Sequence, residues 1–281
     1  MPESSPPKPG REATPVAALS YFFPAHDEVE NIEPLVSEAL EELARLAERF
    51  EIICVDDGST DGTAILADRL TREHPDVVRV IHHRSNLGYG AAVRSGLAAA
   101  RYPLICFTDG DRQFRVADLA ALLDRMAGRS PAGRAGPEPS GPVPDVVAGY
   151  RLRRADPRIR LIYARIYRAC LGLFFGLALR DPDCACKLFR REALEGVRLE
   201  SGGAFLSAEL LIKVAEQGGV IVEQGVPHHP RTAGRASGAR PRVVARAIRD
   251  FWALRLRLWL DRSSALRRGS PVIGTSEGEV V

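Results

Sequence analysis

The sequence predicts an α/β fold with a mostly parallel central sheet flanked by helices. Short continuous apolar runs alternate with segments in which apolar residues recur at helical spacing, and 281 residues suffice for a domain with a sizeable core. Continuous apolar runs are typical of strands that are buried on both faces, as the strands of parallel sheets are. Their alternation with amphipathic helices therefore predicts repeated βαβ units.

Five apolar runs predict the strands, at residues 17–23, 52–55, 78–81, 104–108 and 146–147. A helix is predicted after each of the first four strands. The first helix has the clearest periodicity, with Ile32, Leu35, Val36 and Ala39 on one face. A further helix is predicted over residues 209–217.

Composition predicts how the chain is organised around this domain. Residues 1–15 and 262–281 are rich in Pro, Ser, Gly or charge and are expected to be disordered. Residues 128–144 have the same character and predict a flexible insertion within a domain that spans residues 16–242. Residues 243–261 predict a basic amphipathic helix.

Charge and cysteine usage limit the classes of function. Residues 231–268 contain eleven arginines and two aspartates, which suits a phosphate-bearing partner or an anionic membrane, with a solvated basic face as the alternative. The five cysteines form no disulfide framework, and Cys184 and Cys186 lack the second pair of ligands that a zinc site needs. We expect a reduced, cytoplasmic setting, no secretory signal and no nucleic acid as partner.

Acidic residues follow three of the predicted strands. Ligands of open α/β sheets bind at the carboxyl ends of the strands. Four segments are therefore expected to line one crevice: 24–28, 56–59, 84–88 and 109–113. Several carboxylates beside a phosphate ligand make chemical sense if a divalent cation, Mg²⁺ or Mn²⁺, joins them.

Asp109 and Asp111 are the strongest candidates for such a metal site. They are two residues apart in an extended segment, so both carboxylates can face one ion, and Gly110 allows a tight backbone between them. The alternative is a turn with two solvated aspartates.

Residues 56–63 (DDGSTDGT) join a predicted strand to a helix. Thr60 or Asp61 can cap that helix. Asp56 and Asp57 have no such explanation, and one of them could accept hydrogen bonds from a nucleobase or ribose.

Together these motifs resemble the family-2 inverting glycosyltransferases of the GT-A fold. The motifs occur in the family's order: PAHDE (24–28), VDDGSTDGT (55–63), NLGYG (86–90) and DGDRQ (109–113). Three later motifs resemble the polyprenyl-phosphate branch, which is similar to dolichol-phosphate mannose synthase: VAGYR (147–151), DPDCACKLFRR (181–191) and ELLIK (209–213). The resemblance extends over roughly residues 17–245.

The resemblance implies a reaction, in which a sugar passes from a nucleoside-diphosphate sugar to a polyprenyl monophosphate with the help of Mg²⁺ or Mn²⁺. The residues that it implies for the nucleotide-sugar pocket are Pro24, His26, Glu28, Val55, Asp57, Asp109, Gly110, Asp111 and Gln113. Those implied to hold the metal are Asp109, Asp111 and Gln113. Those implied to contact the acceptor phosphate are Arg151, Arg158, Lys187 and Arg231. Those implied to act in catalysis are Asp109, Asp111, Arg151 and Arg231.

The acceptor side is also implied to be shaped by Lys187 and Glu209, although Glu209 could instead be a surface residue of its helix. The sequence departs from the family's pattern at His26, where tyrosine is frequent, and at residues 184–186, which replace a Ser-Gly-aromatic segment. It departs again after Ser237, where a lysine is expected and a glycine stands. These departures concern the identity of donor and acceptor more than the type of reaction.

Two other functions are consistent with the motifs. The same fold could transfer the sugar to a hydroxyl group of a saccharide or small molecule. That reaction requires a carboxylate base, and no residue in the sequence is an obvious choice for it. A non-catalytic protein that binds sugar nucleotides is the other alternative, and the intact pair Asp109 and Asp111 argues against it.

Two segments are predicted to meet a membrane surface. Residues 161–179 are apolar, but Arg165 and Arg168 argue against a transmembrane helix there. Residues 243–260 combine tryptophan, leucine and arginine as interfacial helices do, and packing on the domain is the alternative. We therefore expect a protein that is peripheral at the cytoplasmic face of a membrane.

Overall fold

A seven-stranded sheet lies at the centre of the fold. The structure is a computed structural model and describes residues 15–129, 142–152, 158–231, 233 and 241–268. The strands are β1 (Leu19–Ala25), β2 (Phe50–Asp56), β3 (Val78–His82), β4 (Leu104–Phe107), β5 (Val146–Arg151), β6 (Lys187–Arg190) and β7 (Ile221–Val226). Their order in the sheet is β3-β2-β1-β4-β6-β5-β7.

Seven helices of the described chain surround the sheet. They are α1 (Val29–Leu46), α2 (Thr63–Glu73), α3 (Tyr89–Ala99), α4 (Leu119–Met126), α5 (Arg158–Phe175), α6 (Leu206–Glu216) and α7 (Pro241–Arg268). Single 3₁₀ turns precede α4 (Val116–Asp118) and follow β6 (Arg191–Leu194).

The sheet is mostly parallel, which confirms the predicted α/β architecture. β1 runs parallel to β2 and β4, β2 runs parallel to β3, and β5 runs parallel to β7. Only β6 is antiparallel to its neighbours β4 and β5. The five predicted strands are all present, whereas β6 and β7 were not predicted, because each contains too few consecutive apolar residues to give a signal.

The C-terminal helix differs from its prediction. A basic helix was expected over residues 243–261 with disorder from residue 262, but α7 extends from Pro241 to Arg268. Residues 262–268 are rich in good helix formers, and the first glycine and proline after them are Gly269 and Pro271. The rest of the predicted disorder, at residues 1–14, 130–141 and 269–281, lies outside the described residues.

Aromatic rings join the strands at the middle of the sheet. Phe22 of β1 stacks on Phe107 of β4 with 5.2 Å between ring centroids, and Phe107 stacks in turn on Phe189 of β6 at 6.1 Å. All three side chains are fully buried. They fix β1, β4 and β6 relative to one another, and the ends of these strands carry the site.

The strand order reverses beside β1. The chain runs from β1 outward to β2 and β3 on one side, and then crosses to β4 on the other side of β1. Ligand crevices of open α/β sheets form at such a switch point, outside the carboxyl ends of the strands. The fold therefore places its crevice where the segments after β1, β2 and β4 meet.

Candidate active site

The acidic triplet after β4 lies against the end of β1. A Cβ atom on Gly110 would be 2.7 Å from the carbonyl oxygen of Pro24, so no larger residue fits without displacing the backbone. This close approach brings Asp109 and Asp111 to the segment that follows β1, as the sequence predicted.

Asp109 is a carboxylate with incomplete compensation of its charge. Its Oδ1 atom is buried and has no hydrogen-bond partner within the described part of the chain. The carboxyl is hydrogen-bonded to the hydroxyl of Tyr89, the first residue of α3. Burial, and next the charge of Asp111, raise the pKa of Asp109 to about 7. A buried carboxylate oxygen that lacks a hydrogen-bond partner is suited to receive a cation.

Arg231 spans the crevice between two acidic side chains. Its Nη2 donates to Asp111 Oδ2 over 2.5 Å, and its Nη1 lies 3.4 Å from Glu28 Oε1. The other oxygen of Asp111 accepts the backbone amide of Gln113 at 3.1 Å. Burial raises the pKa of Glu28, although Asn31 and Arg231 oppose the shift. A chain of contacts thus links four of the predicted site residues, from Gln113 through Asp111 and Arg231 to Glu28.

Gln113 is tied to the segment that carries Arg231. Its Nε2 donates to the carbonyl oxygen of His229 at 3.2 Å, and the amide of His229 donates back to the carbonyl oxygen of Gln113 at 2.9 Å. The side-chain nitrogen of Gln113 is therefore engaged, and the side-chain oxygen is the atom that could bind a metal. Arg112, just before it, has φ of 59°, a strained value for a residue with a side chain.

Asp57 forms part of the crevice wall. Its Oδ1 accepts hydrogen bonds from His83 Nδ1 at 2.7 Å and from the amide of Leu87 at 2.9 Å, and its Oδ2 accepts the amide of Gly88 at 2.8 Å. These contacts hold the loop that leads into Tyr89. Asp57 was expected to contact the nucleoside. In this structure its carboxylate oxygens accept hydrogen bonds from the loop instead.

Asp61 accepts the first backbone amide of two helices, of which the sequence predicted only that of α2. One carboxylate oxygen accepts the amide of Thr63 at 3.0 Å at the start of α2, and the other accepts the amide of Val29 at 3.1 Å at the start of α1. One side chain therefore joins the segments after β1 and β2.

Two residues expected in the nucleoside pocket have different environments. His26 is exposed at the end of β1, with its Nε2 3.7 Å from Asp27 Oδ2. Val55 is fully buried in β2, so its side chain belongs to the core and only its backbone can reach a ligand. The alternation of a strand explains this, because neighbouring side chains point to opposite faces of the sheet.

Lys187 lies beneath the crevice and has no exposed surface. Its ammonium group donates to Ser207 Oγ at 2.7 Å and to the carbonyl oxygen of Cys184, and it lies 5.7 Å from the ring centre of Phe107. Burial lowers the pKa of Lys187, although nearby acidic groups including Asp109 oppose the shift. The expected contact of Lys187 with an acceptor phosphate is therefore wrong, because its ammonium group is fully enclosed by the fold.

Arg151 is also engaged inside the protein. Its guanidinium makes a bidentate pair with Asp181, with distances of 2.6 Å and 2.8 Å. An acceptor phosphate would have to share this guanidinium with a buried carboxylate. The side chain of Arg158, the third arginine expected on the acceptor side, lies outside the part of the chain that the structure describes.

Glu209 is buried, so the alternative of a surface residue is wrong. Its oxygens accept the amides of Glu200 at 3.0 Å and Ser201 at 2.8 Å, and one lies 2.8 Å from Lys213 Nζ. Ser201 packs tightly against Gly90 of α3, because a Cβ atom on Gly90 would be 2.5 Å from the carbonyl oxygen of Ser201. Glu209 therefore fixes the loop that packs on the start of α3.

Residues 20–198 match glycosyl transferase family 2. The chain belongs to that family. Its structure has the GT-A fold that the sequence motifs implied.

Three relatives illustrate what this family-2 chain is similar to. Glycosyltransferase AglD of Haloferax volcanii is 30% identical over 89% of this chain and 40% of its own length. Dodecaprenyl-phosphate galacturonate synthase of Rhizobium johnstonii is 27% identical over 77% of this chain and 60% of its own length. Polyprenol monophosphomannose synthase of Mycolicibacterium smegmatis is 28% identical over 90% of this chain and 93% of its own length. The chain thus spans only 40% and 60% of the first two.

Solved structures of glucosyl-3-phosphoglycerate synthase from Mycobacterium tuberculosis share the fold. The complex with Mn²⁺ and UDP-glucose has a TM-score of 0.58 at 22% identity and covers 84% of this chain and 79% of that chain. The complex with Mg²⁺ and UDP has a TM-score of 0.53 at 22% identity and covers 76% and 72%. At this identity the likeness shows the fold alone.

The crevice of this family-2 protein fits a divalent cation in part. Asp109 supplies a buried oxygen that has no hydrogen-bond partner in the described part of the chain. Asp111 already forms an ion pair with the guanidinium of Arg231. Within the described residues, no group of three His, Cys, Asp or Glu side chains could hold a metal. Two carboxylates would therefore have to be completed by oxygens of water or phosphate, as is usual for Mg²⁺.

Three functional candidates were not predicted from the sequence, although Tyr89 and Asp183 lie within its motifs. Tyr89, which contacts Asp109, is part of the NLGYG motif but was not predicted to be a site residue. His83, which bonds Asp57, was not singled out. Asp183 is exposed and accepts a hydrogen bond from Tyr167 of α5. Each owes its place to a long-range contact that spacing along the chain does not reveal.

Proposed function

We propose that this protein is a metal-dependent inverting glycosyltransferase that moves a hexose from a nucleoside-diphosphate sugar to a polyprenyl monophosphate. The observation that carries the proposal is the cluster of Asp109, Asp111, Glu28 and Arg231 at the switch point of a GT-A fold. The names of the relatives support the choice of a polyprenyl phosphate as acceptor.

The proposed reaction is a single displacement. An oxygen of the acceptor phosphate forms a bond to the anomeric carbon, the bond from that carbon to the diphosphate breaks, and the nucleoside diphosphate leaves with the electron pair. The acceptor oxygen is already ionised at neutral pH, so no base has to remove a proton. The expected product has the anomeric configuration opposite to that of the donor.

Asp109 and Asp111 would hold the divalent cation, with Gln113 as a further oxygen ligand. When bound, the cation neutralises the charge that develops on the departing diphosphate. Arg231, which lies in the same crevice, adds a second positive charge near the departing diphosphate. Tyr89 keeps the carboxyl of Asp109 oriented through its hydrogen bond.

The substitution Asp111→Asn tests the proposal. We expect a loss of transfer of at least about a thousandfold, because the variant loses a charge at the metal and leaving group. The assay offers a panel of uridine- and guanosine-diphosphate sugars with polyprenyl phosphate and Mg²⁺ or Mn²⁺, and circular dichroism verifies the fold. Asp124→Asn, which removes a partly exposed carboxylate of α4 that pairs with Arg129, is the control. Near wild-type transfer by Asp111→Asn would refute the proposal.

A second candidate function is transfer to a hydroxyl group, and Asp183 favours it. The sequence offered no obvious base, but Asp183 is an exposed carboxylate that lies close enough to Tyr89 and Lys187 to influence their pKa values. Asp183→Asn distinguishes the two functions. A base for a hydroxyl acceptor would be indispensable, whereas transfer to a phosphate should survive the change.

We also propose that the protein acts at the cytoplasmic face of a membrane, where a polyprenyl phosphate presents its headgroup. None of the helices in the described ranges is long and apolar enough to cross a membrane. Large apolar side chains are instead exposed along α5 and α7: Tyr163, Ile166, Leu173, Val244, Ile248, Trp252, Leu256, Trp259 and Leu260. These helices meet through Phe174 and Trp252, whose ring centroids are 5.1 Å apart.

A further inference from the structure

Arg231 occupies the place in the crevice where a metal would be expected. Its guanidinium joins Asp111 to Glu28, at 2.5 Å and 3.4 Å, across the opening between the ends of β4 and β1. The arginine is about a quarter exposed, whereas both carboxylates are largely buried. The contact is therefore better shielded from solvent than an ordinary surface ion pair.

The guanidinium and a divalent cation would compete for the same carboxylate oxygen. Mg²⁺ binds carboxylate oxygens at about 2.1 Å, and Asp111 Oδ2 already has a guanidinium nitrogen at 2.5 Å. Both cations on Oδ2 would be within about 4 Å of each other, and like charges at that distance repel strongly in a partly buried crevice. The second oxygen of Asp111 is also engaged, since it accepts the amide of Gln113 at 3.1 Å.

We propose that Arg231 holds the cation position at Asp111 while the donor is absent, and that a divalent cation must displace its guanidinium in order to bind there. This rests on the proposed function, because the diphosphate of the donor gives the displaced guanidinium a new anionic partner. Glu28 keeps the arginine in the crevice during the exchange. The site therefore has a low affinity for metal ions while no nucleotide is bound.

Mn²⁺ binding to the nucleotide-free full-length chain tests the exchange. Electron paramagnetic resonance measures free Mn²⁺ in titrations of the wild-type protein, Arg231→Gln and Arg231→Lys. We expect Arg231→Gln to bind Mn²⁺ about tenfold more tightly, because no charge-assisted hydrogen bond has to be broken. Arg231→Lys should lie between the two. With saturating uridine or guanosine diphosphate, the difference should shrink to less than about twofold.

Arg69→Gln is the control, since Arg69 also bridges a carboxylate, that of Glu33, but on the outer surface. It should leave Mn²⁺ affinity unchanged. Adding Asp109→Asn to Arg231→Gln should remove the gain, and a gain that persists would place the ion elsewhere and contradict the proposal. Equal or weaker binding by Arg231→Gln, or no binding by any variant up to millimolar Mn²⁺, would also contradict it. Because no sugar transfer is measured, failure of the proposed reaction would be a separate result.

Discussion

At the scale of single residues, His82 at the end of β3 is held between two acidic side chains. Its Nδ1 lies 2.9 Å from Asp56 Oδ2, and its Nε2 lies 3.1 Å from Asp68 Oδ1. Partial burial acts to lower the pKa of His82, but the hydrogen bonds to Asp56 and Asp68 outweigh it and raise the pKa above its ordinary value. Protonation of one side chain therefore strengthens the contact between β2, β3 and α2.

This arrangement predicts a pH-dependent stability. Because the folded protein binds this proton more tightly than the unfolded chain, the contribution is full below the unfolded pKa of about 6.5 and is lost as pH rises through the folded pKa. In His82→Gln, the free energy of unfolding should therefore fall relative to the wild type more at pH 5.5 than at pH 8.5. The effect should stay below about 1 kcal/mol, because the ring is partly exposed.

Urea denaturation at the two pH values measures the effect, and His74→Gln, at the end of α2, is the control. A deficit that is equal at both pH values would show that His82 acts by packing alone.

The sequence predicted the acidic residues of the site better than the basic ones. Asp109 and Asp111 follow a strand in the chain, so their place at the crevice follows from local pattern and the general rule for α/β sheets. The family resemblance implied that Lys187 contacts the acceptor phosphate, but its side chain is fully buried. Its burial depends on β6 being inserted between β4 and β5, a long-range pairing that leaves no local pattern.

At the scale of elements, α3 is positioned by close contacts along its length. A Cβ on Gly96 would lie 2.2 Å from the ring of Phe22, so α3 can pack on β1 only with glycine at this position. In the middle of α3, Arg94 donates to the carbonyl oxygen of Ser201 at 2.6 Å. These contacts set the direction of the helix, and hence the place of Tyr89 beside Asp109.

Gly96→Ala should therefore destabilise the protein by about 2–3 kcal/mol, because the added methyl group forces the helix away from a rigid aromatic ring. Gly172→Ala is the matched control in another helix, α5, where the added Cβ has nothing within 4 Å. It should be neutral or stabilise by about 0.5–1 kcal/mol through the helix preference of alanine. Urea denaturation gives both values. Equal effects of the two substitutions would show that contact with Phe22 does not limit the position of α3.

Strands and helices with a regular apolar pattern were predicted from the sequence. Strands that depend on pairing with a distant part of the chain were not. The strands β1 to β4 and helices α1 to α4 each have a continuous apolar run or a repeated apolar face. β7 has the sequence IVEQGV, in which polar residues interrupt the run, and it exists because β5 provides a parallel partner along its whole length. Pairing of this kind is decided by tertiary structure, which a single segment cannot report.

At the scale of the whole molecule, the crevice and the apolar faces of α5 and α7 are parts of one assembly. Phe251 of α7 contacts Phe205 and Phe175, with ring centroids 5.7 Å and 4.9 Å apart. Arg246 of α7 covers Gly202, in the loop that packs on the start of α3. A lipid phosphate that approached along these helices would therefore meet the protein beside Tyr89 and the acidic triplet.

The exposed apolar side chains of α7 should anchor the protein to an anionic bilayer. Ile248 and Leu256 are each 56% exposed and stand two turns apart on α7, among arginines that favour anionic headgroups. We expect wild-type protein to float with vesicles that contain phosphatidylglycerol, and the double variant Ile248→Asp/Leu256→Asp to bind at least about tenfold less, because apolar burial is replaced by charge repulsion. Ile65→Asp, which changes a 74% exposed isoleucine of α2, should still float.

Raising the salt concentration should weaken binding to the vesicles without abolishing it, since screening affects the arginines but not the apolar contacts. Wild-type protein that stays with the unbound fraction, or a double variant that floats as well as Ile65→Asp, would exclude this face as the membrane contact.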